Sequence, residues 1–182
     1  MQFPKRLAVL ASWSKHVMRR RPAPERLADY PLVCLEKLRF ADTDRNGHIS
    51  NAVFSECCQN ARMELLYDEQ RLTLPPASQF VIARLDLQFL AEMHWPGTVR
   101  VGTRVTRIGR CSVVLQQALF LGDRRVAVAR STVVLIDAHT RLPRQLSPEL
   151  VEALRDLHGR SARRPALVAR LAQVLQPRTG RL

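Results

Sequence analysis

The residues of this chain whose types and spacing are suited to chemistry are concentrated in one short segment, DTDRNGHIS at residues 42–50. One interpretation is a calcium loop of the EF-hand type, because acids stand at loop positions 1 and 3 (Asp42 and Asp44) and a glycine at turn position 6 (Gly47). Position 12 of such a loop must supply a bidentate carboxylate, and here it is Val53. The most important calcium ligand is therefore missing, and we expect no metal site in this segment.

The alternative interpretation is the active-site turn of an enzyme, which requires a helix directly after the segment. From Asn51 onward the apolar residues recur at helical spacing, at Phe54, Cys57, Cys58, Ala61 and Leu65. Ser50 or Asn51 is suited to cap a helix over residues 51–70, which the two prolines at 75–76 would end. A carboxylate on the turn before a helix can approach a carbonyl carbon whose oxygen faces the helix N-terminus.

The elements around this segment are predicted to be strands. A strand of imperfect alternation covers residues 33–40, and four more follow the helix, between residues 79 and 137. Gly122-Asp123 fits the two-residue loop of a hairpin, so we interpret residues 79–137 as an antiparallel meander. Ser147 and Pro148 predict the start of a helix over 148–158, and the tail after Gly159 has the pattern of another short helix.

One helix cannot cover both faces of a five-stranded sheet. The order of strand, long helix and four strands therefore predicts an α+β protein with the hotdog fold, in which a five-stranded antiparallel sheet wraps around one long central helix and further helices lie at the ends. The remaining sheet surface is expected to pair with a second subunit, as a homodimer or a homotetramer.

The charge of the chain lies mainly at its two ends. The 182 residues have a formal net charge of +13; residues 1–30 carry seven Lys or Arg against two acids, and residues 155–182 carry seven Arg against one. We therefore divide the chain into a basic N-terminal extension (1–30), a hotdog domain (31–158) and a basic tail (159–182). Peripheral membrane contact is a hypothesis for the basic ends, whereas nucleic-acid binding is not expected, because aromatic residues form only 5% of the chain.

Cysteine usage and the N-terminal segment bear on location. The four cysteines show no C-x-x-C or other metal-ligand spacing, which favours free thiols in a reducing cytoplasm. Residues 1–17 have three interpretations: a basic amphipathic helix, a sequence upstream of a true start at Met18, or a signal peptide, which is the least favoured because its apolar stretch is short and interrupted.

The segment and its flanking elements also resemble a known family. A strand, then DTDRNGHISNAVF, then Ala61-Arg62 in the helix is similar to the D-x-D-x-x-G-H-[VM]-x-N-x-x-[YF] signature of the hotdog acyl-CoA thioesterases, the 4-hydroxybenzoyl-CoA thioesterase-like superfamily. The resemblance covers about residues 32–150. Two departures are Gln59, where many relatives carry Glu, and Phe54, where Tyr is common.

The resemblance implies roles for individual residues. Asp44 matches the family's catalytic carboxylate, which attacks the thioester carbonyl or activates a water, while Asp42 is expected to shape the turn. The helix N-terminus near Asn51 would stabilise the developing negative charge, and His48 and Asn51 are assigned auxiliary catalytic roles. The predicted substrate-binding residues, with the basic ones contacting CoA phosphates, are Gly47, Arg107, Arg110 and Ser112.

The function that the resemblance implies is hydrolysis of an acyl-CoA or acyl-carrier-protein thioester, with no metal or redox cofactor. Three alternatives remain open: a hotdog acyl-CoA hydro-lyase, a non-catalytic acyl-thioester-binding or membrane-associated protein, and the calcium sensor. A hydro-lyase would need a histidine and an acid placed for proton abstraction, and two residues on one tight turn (Asp44 and His48) fit that requirement less well.

Overall fold

The computed structural model describes residues 26–158. The basic tail, most of the N-terminal extension and the helices predicted in them lie outside the described residues. The described elements are two 3₁₀ turns, five strands and two helices: Leu27–Asp29, β1 (Leu32–Lys37), Phe40–Asp42, α1 (Asn51–Leu66), β2 (Ser78–Phe89), β3 (Thr98–Ile108), β4 (Ser112–Leu121), β5 (Arg124–Asp137) and α2 (Pro148–Arg155). Within residues 26–158, no helix is long and apolar enough to cross a membrane.

The five strands form one antiparallel sheet in the order β1-β3-β4-β5-β2. The predicted hotdog architecture is confirmed. The prediction of a simple meander over residues 79–137 was wrong, because β2 pairs with β5 and β1 takes the place beside β3. Sequence alternation identifies each strand but does not reveal its neighbour, which depends on contacts made far along the chain. The predicted hairpin between β4 and β5 is present, and Gly122 adopts a φ of +58° there.

The sheet curves around α1 and buries its apolar side. Pairing shifts by one residue between Ile82 and Arg84 in β2 and between Val105 and Arg107 in β3, and such bulges bend and twist a strand. The N-terminal half of α1 packs into the hollow of the sheet, where Phe54 contacts the ring of Phe89 edge-on at 5.1 Å. The helix is therefore held at both its middle and its beginning, close to the turn that precedes it.

Helix α1 ends at Leu66, four residues before the predicted end. Beyond it Asp68 accepts hydrogen bonds from the amides of Gln70 and Arg71, through its side chain and its carbonyl respectively. Such local bonds compete with the helical pattern. At the other end of the domain, α2 stops at Arg155 because the following residues pair with β3, where the amide of Val105 donates to the carbonyl of Leu157.

The C-terminal half of α1 and helix α2 share a second apolar cluster. Leu66 of α1 and Leu150 and Leu154 of α2 are almost completely buried. On the outer face of the sheet, Tyr30 is only 1% exposed and packs against Phe120 and directly over Gly102. The residues immediately before β1 are thus part of the packed domain.

A polar group is buried between α1 and the sheet. The guanidinium of Arg62, 4% exposed, donates to the side-chain oxygen of Gln117, whose amide nitrogen donates to the carbonyl of Cys58 and to the hydroxyl of Thr103. Desolvation lowers the pKa of Arg62. Arg62 is therefore bound to Gln117 within the core, while the nearby acid Glu64 accepts from the thiol of Cys34.

Candidate active site

The segment between β1 and α1 forms a tight turn closed by its own backbone. The amide of Asp44 donates to the carbonyl of His48 at 2.7 Å, and the amide of Gly47 donates to the carbonyl of Asp44 at 3.1 Å. Gly47 adopts a φ of +77°, in the left-handed region that glycine reaches without strain. Gly47 therefore permits the sharp turn, while its role in substrate binding stays a prediction.

The Asp44 carboxylate is exposed, and one of its two oxygens accepts hydrogen bonds from the turn. Its Oδ1 accepts from the amides of Asn46 at 2.8 Å and His48 at 3.2 Å. Among the described residues, Oδ2 of Asp44 has no hydrogen-bond partner. One oxygen is therefore oriented by the turn while the other is free to approach a substrate or a water.

Asp42 has a different environment. It is buried, its Oδ2 accepts from the backbone amide of Arg39 at 2.7 Å, and its Oδ1 accepts from Nε and Nη2 of the same arginine at 2.9 and 2.7 Å. The Arg39 side chain, followed by its amide, holds the pKa of Asp42 below its ordinary value. Both oxygens of Asp42 thus accept hydrogen bonds from Arg39, and Val53, at the position where a calcium loop needs a carboxylate, is buried in the core.

The turn leads directly into the N-terminus of α1. Ser50 is the N-cap, and its hydroxyl accepts from the amide of Ala52 at 3.4 Å. Asn51 is the first residue of the helix, and within residues 26–158 its backbone N–H finds no acceptor. An unpaired helical N–H carries partial positive charge and can donate to an oxygen that becomes negative during a reaction.

The side chain of His48 lies against the loop between β2 and β3. Its Nε2 lies 3.6 Å from Oε2 of Glu92, and its ring contacts the ring of His94 edge-on at 5.0 Å. The only link between His48 and the Asp44 side chain among the described residues is through the His48 backbone amide. The side chain of His48 is therefore paired with two residues for which the sequence analysis predicted no role.

The β2–β3 loop is fixed against the turn by backbone hydrogen bonds. The amide of Ile49 donates to the carbonyl of Met93 at 2.8 Å, and the amide of Leu38 donates to the carbonyl of Gly97 at 3.0 Å. Met93 is fully buried, so its neighbours Glu92 and His94 are held at the surface beside His48. Sequence reasoning missed both residues, because only the pairing of two distant segments brings them to the turn.

The structure separates the predicted phosphate-binding residues from the turn within one chain. The turn follows β1, whose last residue, Lys37, pairs with Thr98 at the start of β3. Arg110 and Ser112, in contrast, follow the end of β3. The 11 residues of β3 span roughly 35 Å at the usual rise per residue. Arg110 is exposed and Ser112 half-buried at this distant hairpin.

Arg107 is exposed on the outer face of the sheet, where it lines an open groove of about 750 Å³ together with residues of β2, β4 and β5. The charged residues of this groove besides Arg107 are Asp86 and Arg130. Arg107 thus belongs to a different surface from the turn, and a single chain does not bring the two predicted halves of the site together.

With the sheet, the central helix and the turn in place, comparison with known proteins gives the class. A profile of the thioesterase-like superfamily matches residues 38–154, which include the turn, helix α1, four of the five strands and all but the last residue of α2. The chain belongs to this superfamily. Among curated proteins, no significant sequence match was found.

Solved structures with the same fold are numerous. A thioesterase from Thermus thermophilus, complexed with coenzyme A and Zn, is 27% identical, with a TM-score of 0.63 over 73% of this chain and 98% of that one. A Pseudomonas aeruginosa protein is 24% identical, with a TM-score of 0.67 over 74% of this chain and 96% of that one. A 1,4-dihydroxy-2-naphthoyl-CoA thioesterase from Synechocystis is 20% identical, with a TM-score of 0.60 over 69% of this chain and 96% of that one. The last two likenesses concern the fold alone.

Proposed function

We propose that the protein is a thioester hydrolase acting on an acyl-CoA or an acyl-carrier-protein thioester. The observation that carries the proposal is the placement of the Asp44 carboxylate, with one oxygen that has no partner within residues 26–158, on the turn that ends at the similarly unpartnered amide of Asn51. Membership of the thioesterase-like superfamily supports the same reaction type, and the Thermus relative bound to coenzyme A supports a CoA thioester as substrate.

In the proposed reaction the thioester carbonyl oxygen accepts a hydrogen bond from the Asn51 amide. Asp44 either attacks the carbonyl carbon, releasing the thiol and forming an anhydride that water hydrolyses, or removes a proton from the water that attacks. The products are the free acid and the free thiol, and neither route uses a redox cofactor. Stabilisation of the oxyanion by such a donor is worth about 3–4 kcal/mol in the transition state.

A second copy of the chain is part of the proposal. Asp44 is exposed in one chain, while electrostatic catalysis is strongest where water is excluded. Two aromatic side chains beside the turn, Phe40 and Trp95, are 71% and 47% exposed and contact each other edge-on. Exposed apolar groups of this size mark binding surfaces, and we assign them to the acyl group or to the partner subunit of a homo-oligomer.

The test is release of free thiol from a panel of short, long and aromatic acyl-CoAs by wild type and Asp44→Ala. We expect hydrolysis by wild type and a fall in kcat of about 100-fold or more in the variant, the usual size of an acid–base contribution. Asp137→Asn is a matched control, since Asp137 also accepts from two backbone amides in a turn but has no helix N-terminus beside it. The control should retain wild-type kcat.

Three results would contradict the proposal. Binding of acyl-CoAs without turnover by folded wild type would favour the non-catalytic alternative. Hydration of an enoyl-CoA without thiol release would favour the hydro-lyase. Undiminished hydrolysis by Asp44→Ala would show that the reaction takes place elsewhere.

A further inference from the structure

Three side chains at the edge of the turn form a cluster of possible metal ligands. The ligand atoms of His48, Glu92 and His94 all lie within 4.8 Å of one another. The Glu92 oxygen Oε2 is 3.6 Å from Nε2 of His48 and 3.9 Å from Nε2 of His94. Tetrahedral coordination of Zn²⁺ by nitrogen and oxygen at their usual bond lengths places ligand atoms roughly 3.4 Å apart, so small side-chain adjustments complete the geometry.

The orientation of His94 also suits a ligand. Its Nδ1 contacts the carbonyl oxygen of Gly47 at 3.4 Å. A carbonyl oxygen only accepts, so this contact favours the proton on Nδ1 and keeps Nε2, which lies 3.9 Å from Oε2 of Glu92, available as a ligand atom. A histidine that binds a metal typically donates its other ring N–H in this way.

The backbone around the cluster is fixed before any ion binds. The hydrogen bond between Ile49 and Met93 joins the two segments, and burial of both residues anchors it. Glu92 and His94 flank Met93, and His48 precedes Ile49, so all three side chains emerge on the same solvent-facing side. Their side chains are between 35% and 66% exposed, which gives an ion free access.

From this arrangement we propose that His48, Glu92 and His94 bind one divalent transition-metal ion of the Zn²⁺ class. Two histidines and one carboxylate are a common ligand set for zinc with an open fourth position, which a water molecule would fill. The proposal departs from the expectation that the chain has no metal site. It does not depend on the proposed hydrolase activity, because binding is defined by these three residues alone.

The test is metal titration of untagged, full-length protein that has been stripped with a chelator. We expect isothermal titration to give about one Zn²⁺ per chain, and Co²⁺ to give the visible absorption bands of tetrahedral coordination. His94→Ala and Glu92→Gln should each weaken Zn²⁺ binding at least about tenfold and abolish the Co²⁺ bands. His139→Ala, which removes an exposed histidine outside the cluster, should leave both signals unchanged.

Equal Zn²⁺ binding by wild type and the His94→Ala, Glu92→Gln double variant, with unchanged thermal stability of the variant, would overturn the proposal. So would loss of binding in His139→Ala to the same extent. Failure of thioester hydrolysis would leave this result untouched, since the readouts are heat and absorbance of the bound ion. The two proposals are therefore tested separately.

Discussion

The carboxylates of the two acids of the turn, Asp42 and Asp44, differ in their hydrogen bonding. Asp42 is held by three hydrogen bonds from one arginine, whereas Asp44 keeps one free oxygen at the surface of the described domain. A carboxyl whose pKa is lower in the folded protein than in the unfolded chain stabilises the fold at pH values above its ordinary pKa, here 3.8. This contribution is lost as the pH falls through the lowered, folded-state value.

We therefore expect Asp42→Asn to lower the free energy of unfolding at neutral pH by about 1–2 kcal/mol, because the charged acceptor of Arg39 is lost. The difference in the free energy of unfolding between Asp42→Asn and wild type should become smaller as the pH falls below 3.8. Urea denaturation at neutral and acidic pH measures both effects. The control is Asp123→Asn, at the exposed β4–β5 hairpin, for which a change below about 0.5 kcal/mol is expected; equal stability of Asp42→Asn and wild type would contradict the assignment.

At this scale the sequence predicted the turn but only part of its surroundings. The spacing of DTDRNGHIS, with Gly47 at the sharp bend and a helix after it, led to Asp44 and Asn51, which the structure places on the turn and at the first position of helix α1. Glu92 and His94 could not be predicted, because nothing in their own segment indicates that buried Met93 pairs with Ile49. The catalytic and binding roles of all these residues stay predictions.

Among the elements, the contact between β3 and the segment before β1 is the tightest constraint described. A Cβ atom at Gly102 would stand 2.5, 2.7 and 2.9 Å from three carbons of Tyr30. Tyr30 is itself confined, being 1% exposed and lying under the guanidinium of Arg104 at 5.1 Å. No residue other than glycine fits this position without moving the tyrosine.

Gly102→Ala is therefore expected to reduce stability by about 1–3 kcal/mol, the usual cost of overpacking. In a Tyr30→Ala background the same change should cost much less, since the atoms that it would meet are gone. A double-mutant cycle by urea denaturation measures this coupling. An equal cost of Gly102→Ala in both backgrounds would show that the strand itself, and not Tyr30, requires the glycine.

At the level of elements, too, the features that the sequence did not predict depend on contacts that its local pattern does not show. Alternation of apolar residues identified all five strands, because each strand has one side against the core. It could not show that β2 pairs with β5, since pairing depends on which edge the chain reaches after α1. It also could not show that α1 ends at Leu66, where the hydrogen bonds of Asp68 replace the helical pattern.

At the scale of the whole molecule, the distance between the turn and the β3–β4 hairpin is the feature to be explained. If one chain supplies Asp44 and its partner supplies Arg110, each site of a homodimer contains residues of both copies. Arg110→Ala should then lower kcat/KM roughly tenfold or more by removing a charged contact to phosphate. Asp44→Ala would remove the reaction itself.

Co-expression of these two variants tests whether the site is shared. Random pairing makes half of the dimers mixed, and each mixed dimer would have one intact site, so activity at low substrate should recover to about a quarter of wild type. If each site is built within one chain, the mixture cannot exceed the average of the two variants. Wild type mixed with Asp44→Ala provides the reference for subunit exchange.

The burial of the thiols has a consequence for labelling chemistry. Burial is the main cause that raises the pKa of Cys57 to about 12 and of Cys58 to about 11, and it raises that of Cys34 as well. Because thiolates are the reactive form, a disulfide reagent should modify about one cysteine in the native protein and all four after denaturation. That one is the half-buried Cys111, so a spin label attached there would sit between Arg110 and Ser112. The distance between the labels on two copies of the chain would then show how the two subunits are arranged relative to each other.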